Sequence, residues 1–124
     1  MATDRKYKIY MYTFPNEKIY IGMTHLTIQG RRDCGYPDGW VDIPGASDSA
    51  KYKALGNSIA LPFWEHLAKR FAQYGGVKTI GSLFDGIGGF PLVFKRAGCE
   101  TLWTSEIDPF AEKVVKYHVD TGDL

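Results

Sequence analysis

Apolar and polar residues change their spacing several times along this chain, and each change marks an element. Residues 7–13, YKIYMYT, are rich in Tyr and Ile, which suit a pleated strand. Pro15-Asn16-Glu17 is a turn signal, and KIYIG at 18–22 reads as a second strand, so the two form a hairpin. Residues 24–32, THLTIQGRR, read as a short helix weakened by Gly30. Residues 35–47, GYPDGWVDIPGAS, read as a loop of defined turns, with Tyr36, Trp40, Val41 and Ile43 available to bury. A helix is expected from Ser58 to Tyr74, because Ile59, Phe63, Leu67 and Phe71 recur every four residues. Asn57 is its expected N-cap, Pro62 falls near its first turn, and Gly75-Gly76 stops it. Beyond it, 78–84 reads as a strand, 88–97 as a helix stopped by Gly98, and 100–105 as a strand. Residues 108–118 read as a helix with Asp108 as N-cap and Pro109 at the first helical position. Strand, helix, strand, helix predicts a parallel sheet and an α/β fold.

The most informative stretch is Phe84-Asp85-Gly86-Ile87-Gly88-Gly89-Phe90, between the end of a strand and the start of a helix. Glycines there let the backbone turn tightly and approach a ligand with no Cβ in the way. Glu106 follows Gly86 by twenty residues, at the end of the next strand, where a carboxylate can accept hydrogen bonds from ribose hydroxyls. Pro91 stands where a dinucleotide fingerprint would place its third glycine, which argues against NAD or FAD.

The pattern F-x-G-x-G-G at 84–89 resembles motif I of the DNA cytosine-5 methyltransferases, and Ser105-Glu106-Ile107-Asp108-Pro109-Phe110-Ala111 resembles their motif II. The resemblance implies S-adenosylmethionine as cofactor, with Glu106 holding its ribose and Ile107 packing on its adenine. Gly122-Asp123-Leu124 is similar to the start of motif III, which would bring Asp123 to the adenine amino group. Tyr52-Lys53-Ala54-Leu55-Gly56-Asn57-Ser58 resembles motif X, which implies that Asn57 and Ser58 approach the methionine end of the cofactor. Arg32-Asp33-Cys34-Gly35-Tyr36-Pro37 resembles motif IX, with Asp33 where the family has Leu. Motif X precedes motif I here, an order similar to that of circularly permuted members. The implied fold is a partial Rossmann-like methyltransferase unit, β-α-β-α, preceded by a β-hairpin and a long helix.

The first thirty residues resemble a different family. Lys8-Ile9-Tyr10 and Tyr20-Ile21-Gly22, with nine residues between, are similar to the opening of the GIY-YIG nuclease module, with Lys8 in place of its first Gly. Tyr10 and Tyr20 would match its tyrosines and Arg31 its catalytic Arg. The module's later metal-binding Glu has no counterpart, so a remnant is expected rather than a working nuclease. The organisation expected is therefore 1–34 hairpin and short helix, 35–76 motif IX/X-like loop and helix, and 77–124 cofactor-binding unit.

Composition narrows the chemistry. The 124 residues carry 15 Lys+Arg and 14 Asp+Glu, a net charge of +1, and 44% are apolar, which fits a globular chain rather than a strongly basic nucleic-acid clamp. Residues 1–70 hold ten Lys/Arg against seven Asp/Glu, and 71–124 hold five against seven, so any polyanion contact is expected in the first half. Arg31 and Arg32, with Tyr10 and Tyr20, are the candidate DNA contacts. The alternative function is thus a non-catalytic DNA-binding module.

Cys34 and Cys99 are too few for a disulfide framework and read as reduced thiols of a cytoplasmic protein. No apolar run reaches the length of a membrane span, and no metal-ligand spacing is present. The resemblance implies a Pro-Cys-Gln nucleophile and a Glu-Asn-Val base-holding motif, and neither occurs, so no catalytic residue is assigned. A complementing methyltransferase chain, with DNA as the partner of the complete enzyme, is the expectation that follows.

Overall fold

The computed structural model describes residues 8–13, 15, 17, 19–24 and 34–124. β1 (Lys8–Thr13) and β2 (Ile19–Thr24) pair antiparallel, with Tyr10 opposite Gly22 and Tyr12 opposite Tyr20. This is the hairpin expected from the strand composition and the turn at 15–17. In the segment 24–32, expected as a short helix, Thr24 instead ends β2, and the rest, with Arg31 and Arg32, lies outside the described residues.

Residues 34–47 are a run of tight turns, with Trp40 N–H bonded to the Pro37 carbonyl at 3.1 Å and Asp42 N–H to the Gly39 carbonyl at 2.8 Å. All four apolar side chains singled out in this loop, Tyr36, Trp40, Val41 and Ile43, are buried. Ser47 then caps α1 (Asp48–Gly56), its Oγ accepting the Ala50 N–H at 3.3 Å.

The expected helix from Ser58 to Tyr74 is shorter than its apolar stripe suggested. The observed α2 spans Leu61–Tyr74, and Asn57 is the C-cap of α1 rather than the N-cap of α2. The reason is Pro62. It has no N–H to close a helical turn on the Ser58 carbonyl, so the helix starts where proline falls in the first turn. Leu61 N–H donates instead to the Cys34 carbonyl at 3.0 Å. The inward face also differs from the expected stripe. Leu61 and Ala68 are buried and Trp64 half-buried, while Phe63 and Phe71 are 60% and 50% exposed.

The C-terminal half follows its expected order closely. β3 (Thr79–Leu83), α3 (Gly89–Arg96), β4 (Glu100–Ser105) and α4 (Pro109–Thr121) succeed one another, and β3 and β4 pair parallel with Leu83 opposite Ser105. Gly98 and Gly122 take left-handed conformations just past the two helices, as helix stops do. The mixed α/β architecture fits a partial Rossmann-like unit.

One apolar core joins Trp40, Val41 and Ile43 of the loop, Leu61 and Ala68 of α2, Ile87, Leu92 and Val93 around α3, and Ala111 and Val114 of α4. Residues from both 35–76 and 77–124 therefore share it. No helix among the described residues is long and apolar enough to cross a membrane.

Candidate functional site

The turn between β3 and α3 is built from left-handed residues. Phe84, Gly86 and Gly88 have φ of 55°, 53° and 85°, and Gly88 N–H closes the turn on the Asp85 carbonyl at 2.9 Å. A Cβ on Gly86 would meet nothing within 4 Å, so its bare face looks into open space. Gly88 and Gly89 are buried, and Gly89 packs under Tyr36 and Ile59.

Asp85 faces inward. Its Oδ2 accepts the Ser105 N–H at 3.0 Å, its Oδ1 accepts the Ser82 hydroxyl, and its own N–H donates to the Ser105 carbonyl at 3.2 Å. It thus clamps the ends of β3 and β4. Burial pushes its carboxyl above the usual carboxylate range, against the two hydrogen bonds.

Glu106 meets Gly86 as the twenty-residue spacing suggested. Its Oε2 accepts the Gly86 N–H at 2.6 Å, and its Oε1 accepts the Ile107 and Asp108 N–H groups, each at 2.8 Å. These donors, Asp108 N–H foremost, hold its carboxyl below the ordinary value. Three loop N–H groups are therefore already bonded, Gly86 to a carboxylate and Asp85 and Gly88 to carbonyls, and the carboxylate at the turn disfavours an anion beside it.

Asp108 caps α4 through Oδ1, which accepts Phe110 and Ala111 N–H at 3.0 and 3.1 Å. Its Oδ2 pairs with Lys53 Nζ at 3.0 Å, joining α1 to α4. Lys53 is the largest cause of the lowered Asp108 pKa. Between these elements lies a cleft of about 430 Å³. Ala50, Lys53, Ala54 and Asn57 form one wall, Phe84, Gly86 and Ile87 the floor, and Glu106, Asp108, Pro109, Phe110 and Ala111 the other wall.

A smaller hollow of about 30 Å³ opens among Tyr36, Asn57, Ser58, Ile59, Phe90 and the same loop, Asp85 included. Ser58 Oγ donates to the Tyr36 hydroxyl at 2.9 Å, and burial pushes the Tyr36 pKa up to about 12. Phe90 is half-buried and meets Trp64 edge-on at 4.9 Å.

The structure thus brings together Asn57, Ser58, residues 84–87, Phe90 and Glu106. Ile107 is 90% exposed and does not line the cleft. Asp123 stands apart from it, with Oδ2 2.9 Å from His118 Nδ1 and 2.8 Å from the Thr121 hydroxyl. Tyr10 and Tyr20 lie on β1 and β2. The sequence reading missed Lys53, Ala50 and Ala54 as cleft residues. The signal was there: Ala50, Ala54 and Asn57 follow the spacing of one helical face. Neither cysteine lines the cleft. Cys34 Sγ lies 3.8 Å from the Leu55 carbonyl and Cys99 Sγ 3.3 Å from that of Val77.

A search of curated proteins finds no match to this chain. Residues 78–121, which run from the start of β3 through the glycine-rich turn and Glu106 to the end of α4, match the family model of the C-5 cytosine-specific DNA methylases.

Proposed function

We propose that this chain is the S-adenosylmethionine-binding part of a DNA cytosine-5 methyltransferase, completed by a segment or second chain that carries the Pro-Cys-Gln nucleophile. The observation that carries the reading is the Glu106 carboxylate, held by the Gly86, Ile107 and Asp108 N–H groups at the edge of the 430 Å³ cleft. Three donors fix its orientation: two fill Oε1, and Oε2, with the Gly86 N–H alone, keeps an acceptor position for a ribose hydroxyl. An anionic group at the loop repels a phosphate and favours a nucleoside whose own charge is positive, as in a sulfonium cofactor. When bound, that cofactor supplies a methyl group activated by its sulfonium.

This chain's residues bind and orient the cofactor. Glu106 accepts from ribose, and Phe84, Ile87, Pro109 and Phe110 give apolar walls for a base. Asn57 and Ser58 offer polar groups at the small hollow, where the methionine end is assigned. Ile107 and Asp123 are assigned to the adenine by the same resemblance. Attack on cytosine C6 needs a thiolate outside this chain's cleft. Leu83, Leu102 and Trp103 leave more than half of their surface exposed on the β3–β4 pair, which supports a missing neighbour there.

Isothermal titration of the 124-residue chain with S-adenosylmethionine tests the reading. Heat is expected with the wild-type chain, and Glu106→Ala is expected to weaken binding by tenfold or more, about the worth of its charge-assisted hydrogen bonds. No heat from the chain, either alone or with a chain supplying the Pro-Cys-Gln segment, overturns it.

A further inference from the structure

We propose that His118 is a positioning residue for the glycine-rich loop and acts on it through Trp40; the proposal rests on the reading of that loop as the cofactor site. His118 sits on the buried face of α4, 6% exposed. Its ring stacks on the Trp40 indole with centroids 3.5 Å apart and planes 7° from parallel. Its Nε2 lies 2.7 Å from the Trp40 carbonyl, and since a carbonyl only accepts, Nε2–H donates. Nδ1 lies 2.9 Å from Asp123 Oδ2. Trp40 is 4% exposed, and its indole N–H donates to the Ile87 carbonyl at 2.7 Å, in the middle of the glycine-rich loop. A polar chain, exposed at Asp123 and buried from His118 inward, therefore runs Asp123, His118, Trp40, Ile87 and joins the end of α4 to the loop that floors the cleft.

The chain of contacts adds a tie at the Ile87 carbonyl to a loop that Asp85 and Glu106 hold at its start. Gly86 has no side chain to pack, so the backbone there depends on hydrogen bonds, and the Trp40 indole supplies the one at the next residue. Buried polar groups need their partners, and Trp40 has one at each: its N–H on Pro37, its carbonyl on His118 and its indole N–H on Ile87. No hydrogen bond or ring contact joins His118 directly to a cleft-lining residue, and its link to the loop runs through Trp40, which is why its role is positional.

Amide hydrogen exchange by NMR on the full chain tests this without any ligand. The reporter is Gly88 N–H, which closes the loop on Asp85, and the control is Ala68 N–H in α2. His118→Phe keeps the stack but loses the donor, and is expected to speed Gly88 exchange about tenfold with Ala68 unchanged. His118→Gln retains a carboxamide N–H donor and is expected to restore protection. Trp40→Phe keeps the ring and the carbonyl but removes the indole N–H, and is expected to give the same acceleration. If His118→Phe does not fold, His118→Asn, too short to reach the Trp40 carbonyl, takes its place.

Unchanged Gly88 exchange in His118→Phe, or in His118→Asn where that takes its place, or equal acceleration at Gly88 and Ala68, overturns the proposal. Titration with S-adenosylmethionine is the second arm, where His118→Phe is expected to weaken binding about tenfold, the worth of one buried hydrogen bond. If the wild-type chain gives no heat, the functional reading fails, and the exchange result alone decides the role of His118.

Discussion

Gly86 and Gly89 are three residues apart and do different work. Gly86 has φ of 53° and open space where a Cβ would point, so Gly86→Ala strains the backbone by about 1–2 kcal/mol and puts a methyl group at the cleft floor. Gly89 is crowded: a Cβ there would run into the Tyr36 hydroxyl and stand 2.8 and 2.9 Å from Ile59 Cγ1 and Cδ1. Gly89→Ala is expected to destabilise by about 1–3 kcal/mol, read as a lower urea midpoint at unchanged slope. An unchanged midpoint would show that Ile59 and Tyr36 give way freely. Gly86→Ala is expected to lose cofactor affinity at a smaller cost in stability, so the two variants separate site from packing. The glycine pattern and the Gly86–Glu106 spacing were legible in the sequence, because both follow from a strand, a tight turn and a helix in fixed order. The inward turn of Asp85 was not, because its partners Ser82 and Ser105 come from two strands whose register appears only once they pair.

Helix ends decided which elements the sequence revealed. α3 and α4 were found within a few residues because Gly98 stops the first and Asp108 and Pro109 open the second. α1 is not among the expected helices because it buries no residue, so hydrophobic periodicity carries no trace of it. Its signals were chemical instead: Ser47 as a cap, Asn57 at its end and Pro62 as a barrier. Asp108 shows how much one cap carries, since it closes the first turn of α4 and pairs with Lys53 of α1. Asp108→Ala is expected to cost about 1 kcal/mol through the lost cap, measured by urea denaturation. Asp108→Asn keeps a capping oxygen and loses only an ion pair whose side chains are 68% and 37% exposed, so it is expected to stay close to wild type. A large loss in Asp108→Asn would mean that the Lys53 pair, rather than the cap, holds α1 against α4.

The core lies to one side of the β3–β4 pair, so much of what holds the molecule together near the cleft is polar and therefore sensitive to pH. Among the described residues, four carboxylates are held below their ordinary values. Lys69 does this for Glu65, the Asp108 N–H for Glu106, Lys53 for Asp108 and His118 for Asp123. Each such group contributes stability that is fully present above its unfolded pKa, about 4.3 for Glu and 3.9 for Asp, and is lost as pH falls through the lower folded value. Asp85 acts in the opposite sense, because burial raises its pKa and its ionisation at neutral pH opposes folding. With four groups against one, urea midpoints are expected to fall as pH drops below about 4.3, with no comparable change between pH 5 and 7 from these groups. Glu106→Gln removes one of the four, and its midpoint is expected to fall less steeply between pH 5 and 3 than that of the wild-type chain. An identical acid slope in the two proteins would show that the three N–H groups around Glu106 do not favour its charged form, and would remove the electrostatic argument for a cationic nucleoside in the cleft.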